Sequence, residues 1–266
     1  MIARFLNENL TLLGSTGIRV SPLGLGTVKF GRNTDIKYPD TFDIPDDNTI
    51  SNLLSLARDL GINLLDTAPA YGSSEERLGR LLRGQRAEWI ISTKVGEYYE
   101  KGVSTYSFTP QDTIKSVNES LQKLKTDYLD IVLIHSDGKD TYIIEQTGII
   151  ETLSRLKEKG IIRAFGLSGK TLEGNMAALS VSDLVMMTYN PAYDEERPVI
   201  DKAYETGKGV LIKKAFESGH SINPQESIRF VFSHPGVNSI IIGTINPEHL
   251  RMNVKWACEA IYGCRL

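Results

Sequence analysis

Short apolar runs alternate along the chain with longer amphipathic segments. The apolar runs predict eight strands, at 23–26, 62–66, 89–94, 129–135, 162–167, 184–188, 210–213 and 239–243. The segments between them predict helices, for example over 47–60, 75–82, 111–124 and 148–158. This alternation is typical of βα units and a parallel sheet, so it predicts an α/β fold. Before the first strand, LTLLGSTGIRVS predicts a β-hairpin with Gly14 and Gly17 in its turn.

Two predicted loops, 31–46 and 96–109, are longer than a simple connection requires. The second contains several aromatic side chains: Tyr98, Tyr99, Tyr106 and Phe108. In an α/β barrel the loops after the strands surround the active site. The aromatics therefore have two equally favoured interpretations, an apolar wall for a substrate or packing on the barrel rim.

Length and composition favour one globular domain over residues 1–266. Apolar residues make up 41% and charged residues 24% of the chain, as in ordinary globular enzymes. The net charge of −3 provides no field that would attract nucleic acid or an anionic membrane. The N-terminus has no signal-like apolar core, and no apolar run is long enough for a membrane span. We therefore expect a cytoplasmic protein.

Cysteine and histidine spacings indicate no metal site. The two cysteines, Cys258 and Cys264, both lie near the C-terminus, so neither a disulfide framework nor a cysteine-based zinc site is predicted. No pair of the four histidines has the HExxH spacing of zinc hydrolases.

Three apolar strands each end in a polar residue that suits proton transfer. Asp66 ends the second strand and is followed by Tyr71, while Lys94 and His135 end the third and fourth strands. Taken singly, Asp66 is a turn cap, Tyr71 is a core aromatic and Lys94 is a solvated strand end. Because the ends of parallel strands meet at one edge, the four together predict a site in which Lys94 lowers the pKa of the Tyr71 phenol. Asp66 would hold Lys94 charged, and His135 would offer a second hydrogen bond to a substrate oxygen.

The stretch DTAPAYGSSEERLG over 66–79, followed in order by STKVG and IHSD, resembles the aldo-keto reductase family. The resemblance implies a (β/α)8 TIM barrel, capped by the N-terminal hairpin, that binds an extended nicotinamide dinucleotide. It also implies that Tyr71 is the proton donor, that Lys94 and Asp66 tune it, and that His135 orients the carbonyl.

The function implied is that of an NAD(P)-dependent oxidoreductase. Its substrate would be a small aldehyde, ketone or sugar, interconverted with the alcohol or lactone. The alternative is a cofactor-binding redox-sensing or accessory subunit with little turnover.

The nicotinamide pocket matches this family only in part. Gly26 and Thr27 match its GLGT segment, where a small residue lets the dinucleotide pass close to the backbone. The family's Ser-Asn pair is here Ser168 and Gly169, and Met186 stands where a glutamine is usual. Lys213 replaces an aromatic that stacks on the nicotinamide. Two interpretations of Lys213 are equally favoured, a partner for the pyrophosphate or a solvated strand end.

The segment SIIIGTINPEHLRMN resembles the family's adenosine-ribose site. Gly243, Thr244 and Asn253 are expected to contact the cofactor there, and His249 stands where an arginine usually meets the 2′-phosphate of NADP. Gly243 stands at the position of a usual lysine. The family therefore favours NADP slightly, and the weakened phosphate contacts leave NAD as the competing cofactor.

Overall fold

The computed structural model describes residues 10–263. Twelve strands lie within this range: β1 (Thr11–Leu12), β2 (Arg19–Val20), β3 (Leu23–Gly26), β4 (Leu64–Asp66), β5 (Ile90–Val95), β6 (Glu97–Glu100), β7 (Val103–Tyr106), β8 (Leu129–His135), β9 (Ile162–Ser168), β10 (Leu184–Thr188), β11 (Gly209–Lys213) and β12 (Ser239–Ile242). Eight of them, β3, β4, β5 and β8 to β12, pair in parallel and close into a barrel in which β12 meets β3. The predicted (β/α)8 barrel is therefore confirmed.

Nine α-helices connect the strands within the described range: α1 (Asp47–Asp59), α2 (Ser74–Leu81), α3 (Pro110–Leu124), α4 (Asp140–Gln146), α5 (Ile149–Glu158), α6 (Leu172–Val181), α7 (Arg197–Thr206), α8 (Pro224–Phe232) and α9 (Pro247–Tyr262). Local sequence signals mark the first residues of several of these helices. The Thr109 side chain accepts a hydrogen bond from the Asp112 amide, and Pro110 occupies the first turn of α3. Between residues 10 and 263, no helix combines the length and the apolar character that a membrane crossing requires.

The strands and helices lie close to their predicted positions, with two exceptions. Predicted and observed strand ends differ by at most two residues. The prediction of a loop over 96–109 is wrong, because most of this segment folds as the antiparallel hairpin of β6 and β7. Lys101 and Gly102 form its turn with positive φ angles of 50° and 83°, which suits a tight hairpin turn. Helix α4 was not predicted, since its seven residues are too short for a clear period.

The N-terminal hairpin of β1 and β2 closes the bottom of the barrel, as predicted. Leu13, Ile18 and Val20 are fully buried and pack in one cluster with inward-facing strand residues such as Leu64 and Ile131. A larger apolar cluster fills the layer between the barrel and its surrounding helices. The barrel interior is therefore sealed at this end, and its opposite end remains available for a site.

Strand alternation determines which side chains reach that open end. Successive side chains in a strand point to opposite faces, so every second residue faces the interior. Leu133 belongs to the interior cluster, and His135 therefore follows it on the same face. In the same way, Lys213 follows the interior residue Leu211. The carboxyl ends of the strands thus direct polar groups into one cavity.

Candidate active site

A cavity of about 780 Å³ lies at the carboxyl end of the barrel. Its wall includes all four residues of the predicted proton-transfer set: Asp66, Tyr71, Lys94 and His135. They come from β4, the short 3₁₀ turn Pro69–Tyr71, β5 and β8. The structure thus brings together four residues that are up to 69 positions apart in the sequence.

Lys94 and Asp66 form a buried ion pair. The Lys94 ammonium donates to both carboxylate oxygens of Asp66, at 2.8 and 2.7 Å, and to the Thr67 carbonyl at 2.8 Å. The side chains of the two residues are only 2% and 5% exposed. Burial alone would lower the pKa of Lys94, but the charge of Asp66 and the contacts with Asp66 and Tyr71 outweigh burial and raise it. Lys94 is therefore a fixed cation in the cavity wall.

Tyr71 lies beside this cation. Nζ of Lys94 is 4.8 Å from the centre of the Tyr71 ring. Lys94 lowers the pKa of the phenol, as expected from the sequence, but burial acts in the opposite direction and is the larger effect. The pKa of Tyr71 is therefore raised overall, which corrects the expectation of a lowered value. At neutral pH the hydroxyl carries its proton.

His135 contacts a carboxylate that the sequence analysis did not identify. Nδ1 of His135 lies 2.7 Å from Oε2 of Glu97, the first residue of β6. This nitrogen is fully buried, and its contact with Glu97 lacks the alignment of a linear hydrogen bond. Ser104 on β7 donates to the other oxygen of Glu97 at 2.7 Å. A signal was present in the sequence, since Glu97 follows STKVG directly.

Lys213 points into the same cavity. Its amine donates to the Ser168 hydroxyl at 2.9 Å and to the Gly169 carbonyl at 2.7 Å. The interpretation as a solvated strand end is therefore wrong. Burial lowers the pKa of Lys213 to about 7, and the nearby Lys214 adds to this effect. Lys213 thus joins the residues of the predicted Ser168–Gly169 pocket rather than a separate surface.

Gly169 leaves room for a side chain from another element. A Cβ at this position would lie 2.2 Å from Oδ1 of Asn175, which projects from α6. The Asn175 side chain is fully buried, and its amide donates to Glu196. Burial raises the pKa of Glu196, although the bond from Asn175 opposes this. Neither Asn175 nor Glu196 was identified from the sequence, because both are distant from the family motifs.

Basic side chains surround the mouth of the cavity. Its wall includes Lys37 and Lys170 in addition to Lys213 and Lys214. Burial lowers the pKa of Lys214, and the charges of Lys37 and Lys170 lower it further. The lysines of the wall, with Lys94, outnumber its carboxylates Asp66, Glu196 and Glu217, so the cavity is more basic than the whole chain, whose net charge is −3.

A second cavity of about 360 Å³ adjoins the first, and Tyr38 and Gly243 contribute to the walls of both. It contains the predicted adenosine-ribose residues Gly243, Thr244, His249 and Asn253. Lys29, which the sequence analysis did not identify, also lines it. Nζ of Lys29 lies 4.0 Å from the centre of the Tyr38 ring.

Thr27 lies behind the site rather than in its wall. It is fully buried, and its hydroxyl donates to the Asp66 carbonyl at 3.0 Å and contacts Ser74 at 2.7 Å. By contrast, Gly26 and Met186 line the first cavity as expected from their sequence positions.

The aromatics of the 96–109 segment are absent from the walls of the two cavities formed by the described residues. The Tyr99 hydroxyl binds Asp35, and the Arg32 guanidinium stacks 3.4 Å from the Tyr99 ring centre. Tyr106 stacks on Phe108. The structure therefore favours rim packing over a substrate wall. Within residues 10–263, no group of three or more histidine, cysteine or acidic side chains could hold a metal ion.

Comparison with known proteins agrees with this geometry. The model of the Aldo/keto reductase family matches residues 22–221. A solved structure of a Pseudomonas aeruginosa protein assigned to the aldo-keto reductases is 51% identical, covers 96% of each chain and superposes with a TM-score of 0.90.

Two curated relatives are more distant in sequence. An uncharacterized oxidoreductase of Bacillus subtilis is 25% identical, covering 92% of this chain and 90% of the relative. L-galactose dehydrogenase of Arabidopsis thaliana is 34% identical over 62% of this chain and 49% of that enzyme, so the match spans about half of its length. The chain therefore belongs to the aldo/keto reductase family and is an NAD(P)H-dependent oxidoreductase.

Proposed function

We propose that the protein transfers hydride between a nicotinamide dinucleotide and a small carbonyl compound or its alcohol, with Tyr71 as the proton donor or acceptor. The substrate would be an aldehyde, a ketone or a sugar, interconverted with the alcohol or lactone. The observation that carries the proposal is the buried Lys94–Asp66 pair, which lies beside Tyr71 in a cavity that also contains His135.

The four residues have complementary roles in this proposal. When bound, the nicotinamide supplies or accepts the hydride. Tyr71 is a protonated phenol at neutral pH, so it can donate a proton to the oxygen of a carbonyl that becomes an alcohol. Lys94 stabilises the phenolate that this transfer leaves, and Asp66 keeps Lys94 charged and in place. His135 makes a second hydrogen bond to the substrate oxygen.

The donor groups of the first cavity fit a nicotinamide and a pyrophosphate. The Ser168 hydroxyl and the Lys213 amine lie side by side, at 2.9 Å, and offer polar contacts that replace the amides missing at Gly169 and Met186. Gly26 adds no side chain to the cavity wall, and a Cβ at this position would lie 3.1 Å from Ile241. The lysines at the cavity mouth suit a pyrophosphate, whose negative charge they would offset.

The second cavity supports NADP as the preferred cofactor. Lys29 and His249 both line it; the Lys29 ammonium offers positive charge toward a 2′-phosphate, and the His249 ring offers a nitrogen as a hydrogen-bond partner. Asp40 lines the same cavity and acts against such binding. The Asn246 side chain already accepts hydrogen bonds from the first amides of α9, which reduces what this helix N-terminus offers to a phosphate. NAD therefore remains the competitor.

The relatives support a sugar as one substrate class. L-galactose dehydrogenase of Arabidopsis thaliana, which is 34% identical over 62% of this chain, is named for a sugar. Sugars are therefore included with aldehydes and ketones in the substrate panel.

The test combines cofactor binding with turnover. NADPH and NADH are titrated separately into the purified protein while nicotinamide fluorescence is followed, and turnover is measured on a panel of aldehydes and sugars. We expect Tyr71→Phe to bind cofactor but to lose about 10²- to 10⁴-fold in kcat/KM, the usual contribution of a positioned acid. Tyr142→Phe removes an exposed hydroxyl, from a side chain that is 58% exposed, and is the matched control.

Three outcomes are informative. Tighter binding of NADPH than of NADH supports the NADP preference, and the reverse refutes it. Cofactor binding by the native protein without turnover of any substrate would favour an accessory role. Turnover that survives in Tyr71→Phe at the native rate would refute Tyr71 as the proton donor.

A further inference from the structure

The contact between Glu97 and His135 determines which ring nitrogen carries a proton. The side chain of Glu97 is 10% exposed and that of His135 is 20% exposed. Burial alone would raise the pKa of Glu97, but contacts with His135 and Ser104 outweigh it and lower the pKa to about 2. Glu97 is therefore an anion at neutral pH, and an ionised carboxylate can only accept hydrogen bonds.

Nδ1 is the nitrogen that faces this anion, at 2.7 Å. A lone pair on Nδ1 would be repelled by a negative oxygen at this distance, although the two atoms are not aligned for a linear hydrogen bond. A proton on Nδ1 would be attracted. The neutral ring therefore carries its proton on Nδ1, and Nε2 has the free lone pair.

Nε2 is the atom that serves the cavity. Nδ1 is fully buried against Glu97, whereas His135 as a whole keeps part of its surface and lines the cavity with Tyr71. A substrate oxygen next to Tyr71 would therefore meet Nε2. A neutral ring with a lone pair at Nε2 can accept a hydrogen bond from an alcohol but cannot donate one to a carbonyl.

We propose that Glu97 is a positioning residue that holds a proton on Nδ1 of His135, so that Nε2 accepts from an alcohol when the ring is neutral and donates to a carbonyl only when the ring is protonated. The inference rests on the proposed function, since it assigns the direction of the reaction to the protonation of the same site. In oxidation the alcohol carbon loses hydride to the nicotinamide, and the hydroxyl proton passes to the lone pair of Nε2 or to a Tyr71 phenolate, since the protonated phenol cannot accept it. Reduction reverses both transfers.

The charges around His135 oppose each other. Burial lowers the pKa of His135, Glu97 raises it, and the cations Lys94 and Lys213 lower it. The net direction is a lowered pKa, so the neutral ring predominates at neutral pH. With the proton on Nδ1 beside Glu97, the site therefore favours alcohol oxidation when the ring is neutral and carbonyl reduction when acid pH protonates it.

Nuclear magnetic resonance of the protein labelled with ¹⁵N-histidine tests the inference without any substrate. The His135 signals are assigned by their loss in His135→Asn. We expect the ¹⁵N shifts of neutral His135 to show a protonated Nδ1 and a free Nε2. In Glu97→Gln the anion is lost, so we expect the proton affinity of His135 to fall about tenfold or more.

Glu100→Gln is the matched control, because it removes one negative charge from the same hairpin at a side chain that is 82% exposed. We expect it to leave the His135 titration unchanged, and the signals of His220, His234 and His249 should not move in either variant. Glutamine retains the shape of Glu97 and can still accept the bond from Ser104, so Glu97→Gln is expected to fold; its circular dichroism spectrum and unchanged reference histidines verify this.

The kinetic part uses the pH profiles of both directions. We expect the fall in reduction rate and the rise in oxidation rate to follow the same His135 titration, and both to move to lower pH in Glu97→Gln. A neutral His135 with its proton on Nε2, or a titration that Glu97→Gln leaves unchanged, would overturn the inference whether or not the protein is active. The expected NMR result without turnover of any substrate would instead support the Glu97 contact and refute the proposed function.

Discussion

Replacing Asp66 by asparagine is expected to destabilise the protein through Lys94. The ammonium of Lys94 is 2% exposed and donates to two oxygens of Asp66 at 2.8 and 2.7 Å. In Asp66→Asn one amide oxygen and the Thr67 carbonyl remain as acceptors, but the compensating negative charge is lost. Breaking a buried ion pair by removing one partner costs about 3–5 kcal/mol. Because two acceptors remain, we expect the lower end, about 3 kcal/mol.

Urea unfolding followed by tryptophan fluorescence measures this cost, since Trp89 is 2% exposed and directly precedes β5. Agreement with the circular dichroism transition establishes whether unfolding is two-state. A loss of about 3 kcal/mol corresponds to a fall of about 6–12 °C in the melting temperature for a domain of this size. Glu76→Gln removes an exposed partner of Arg80 and is the control, with an expected cost of at most about 0.5 kcal/mol.

A double-mutant cycle isolates the ion pair from other effects of the substitution. Lys94→Met leaves the Asp66 carboxylate buried with only the Ser92 hydroxyl as a side-chain donor, at 3.2 Å. The double variant Asp66→Asn with Lys94→Met contains neither charge. We therefore expect its loss of stability to be smaller than the sum of the two single losses by about 2 kcal/mol or more. Additive losses, or a cost below about 1 kcal/mol for Asp66→Asn alone, would refute the reasoning.

Two further substitutions test the polar residues around Ser168 and Gly169. Burial lowers the pKa of Lys213 to about 7 in the folded protein, from an ordinary value of 10.5. The folded state therefore binds fewer protons than the unfolded state between these values. Between about pH 7 and about pH 9, the free energy of unfolding of the native protein should rise by about 1–2 kcal/mol relative to that of Lys213→Met. A stability difference that urea titrations show to be independent of pH would contradict this. Gly169→Ala would place a Cβ 2.2 Å from Oδ1 of Asn175, and displacement of this side chain from Glu196 should cost about 1–3 kcal/mol. If Gly169→Ala costs the same stability in the native protein and in the Asn175→Ala variant, this contact is not the cause.

Local patterns were sufficient to predict the strands, the helices and a parallel α/β sheet, and they selected Asp66, Tyr71, Lys94 and His135 as side chains at one edge of that sheet. Apolar runs of strand length, each followed by an amphipathic segment, are compatible with few folds, and the same alternation fixes which face of a strand carries His135 or Lys213. The motif at 66–79 then indicated the family. These signals are contained within single elements, so the amino-acid order is enough to detect them.

The sequence by itself therefore determined the α/β alternation, the hairpin and the placement of Asp66, Tyr71, Lys94 and His135 at the strand ends, while the barrel followed from the family resemblance. The tertiary structure alone decided the contacts among elements that are distant in the chain: Glu97 against His135, Asn175 beside Gly169, and Lys213 on Ser168. It also decided the net direction of the Tyr71 pKa, because burial outweighs the charge of Lys94. Burial and distances between elements depend on how the whole chain packs, and no local pattern of residues contains them.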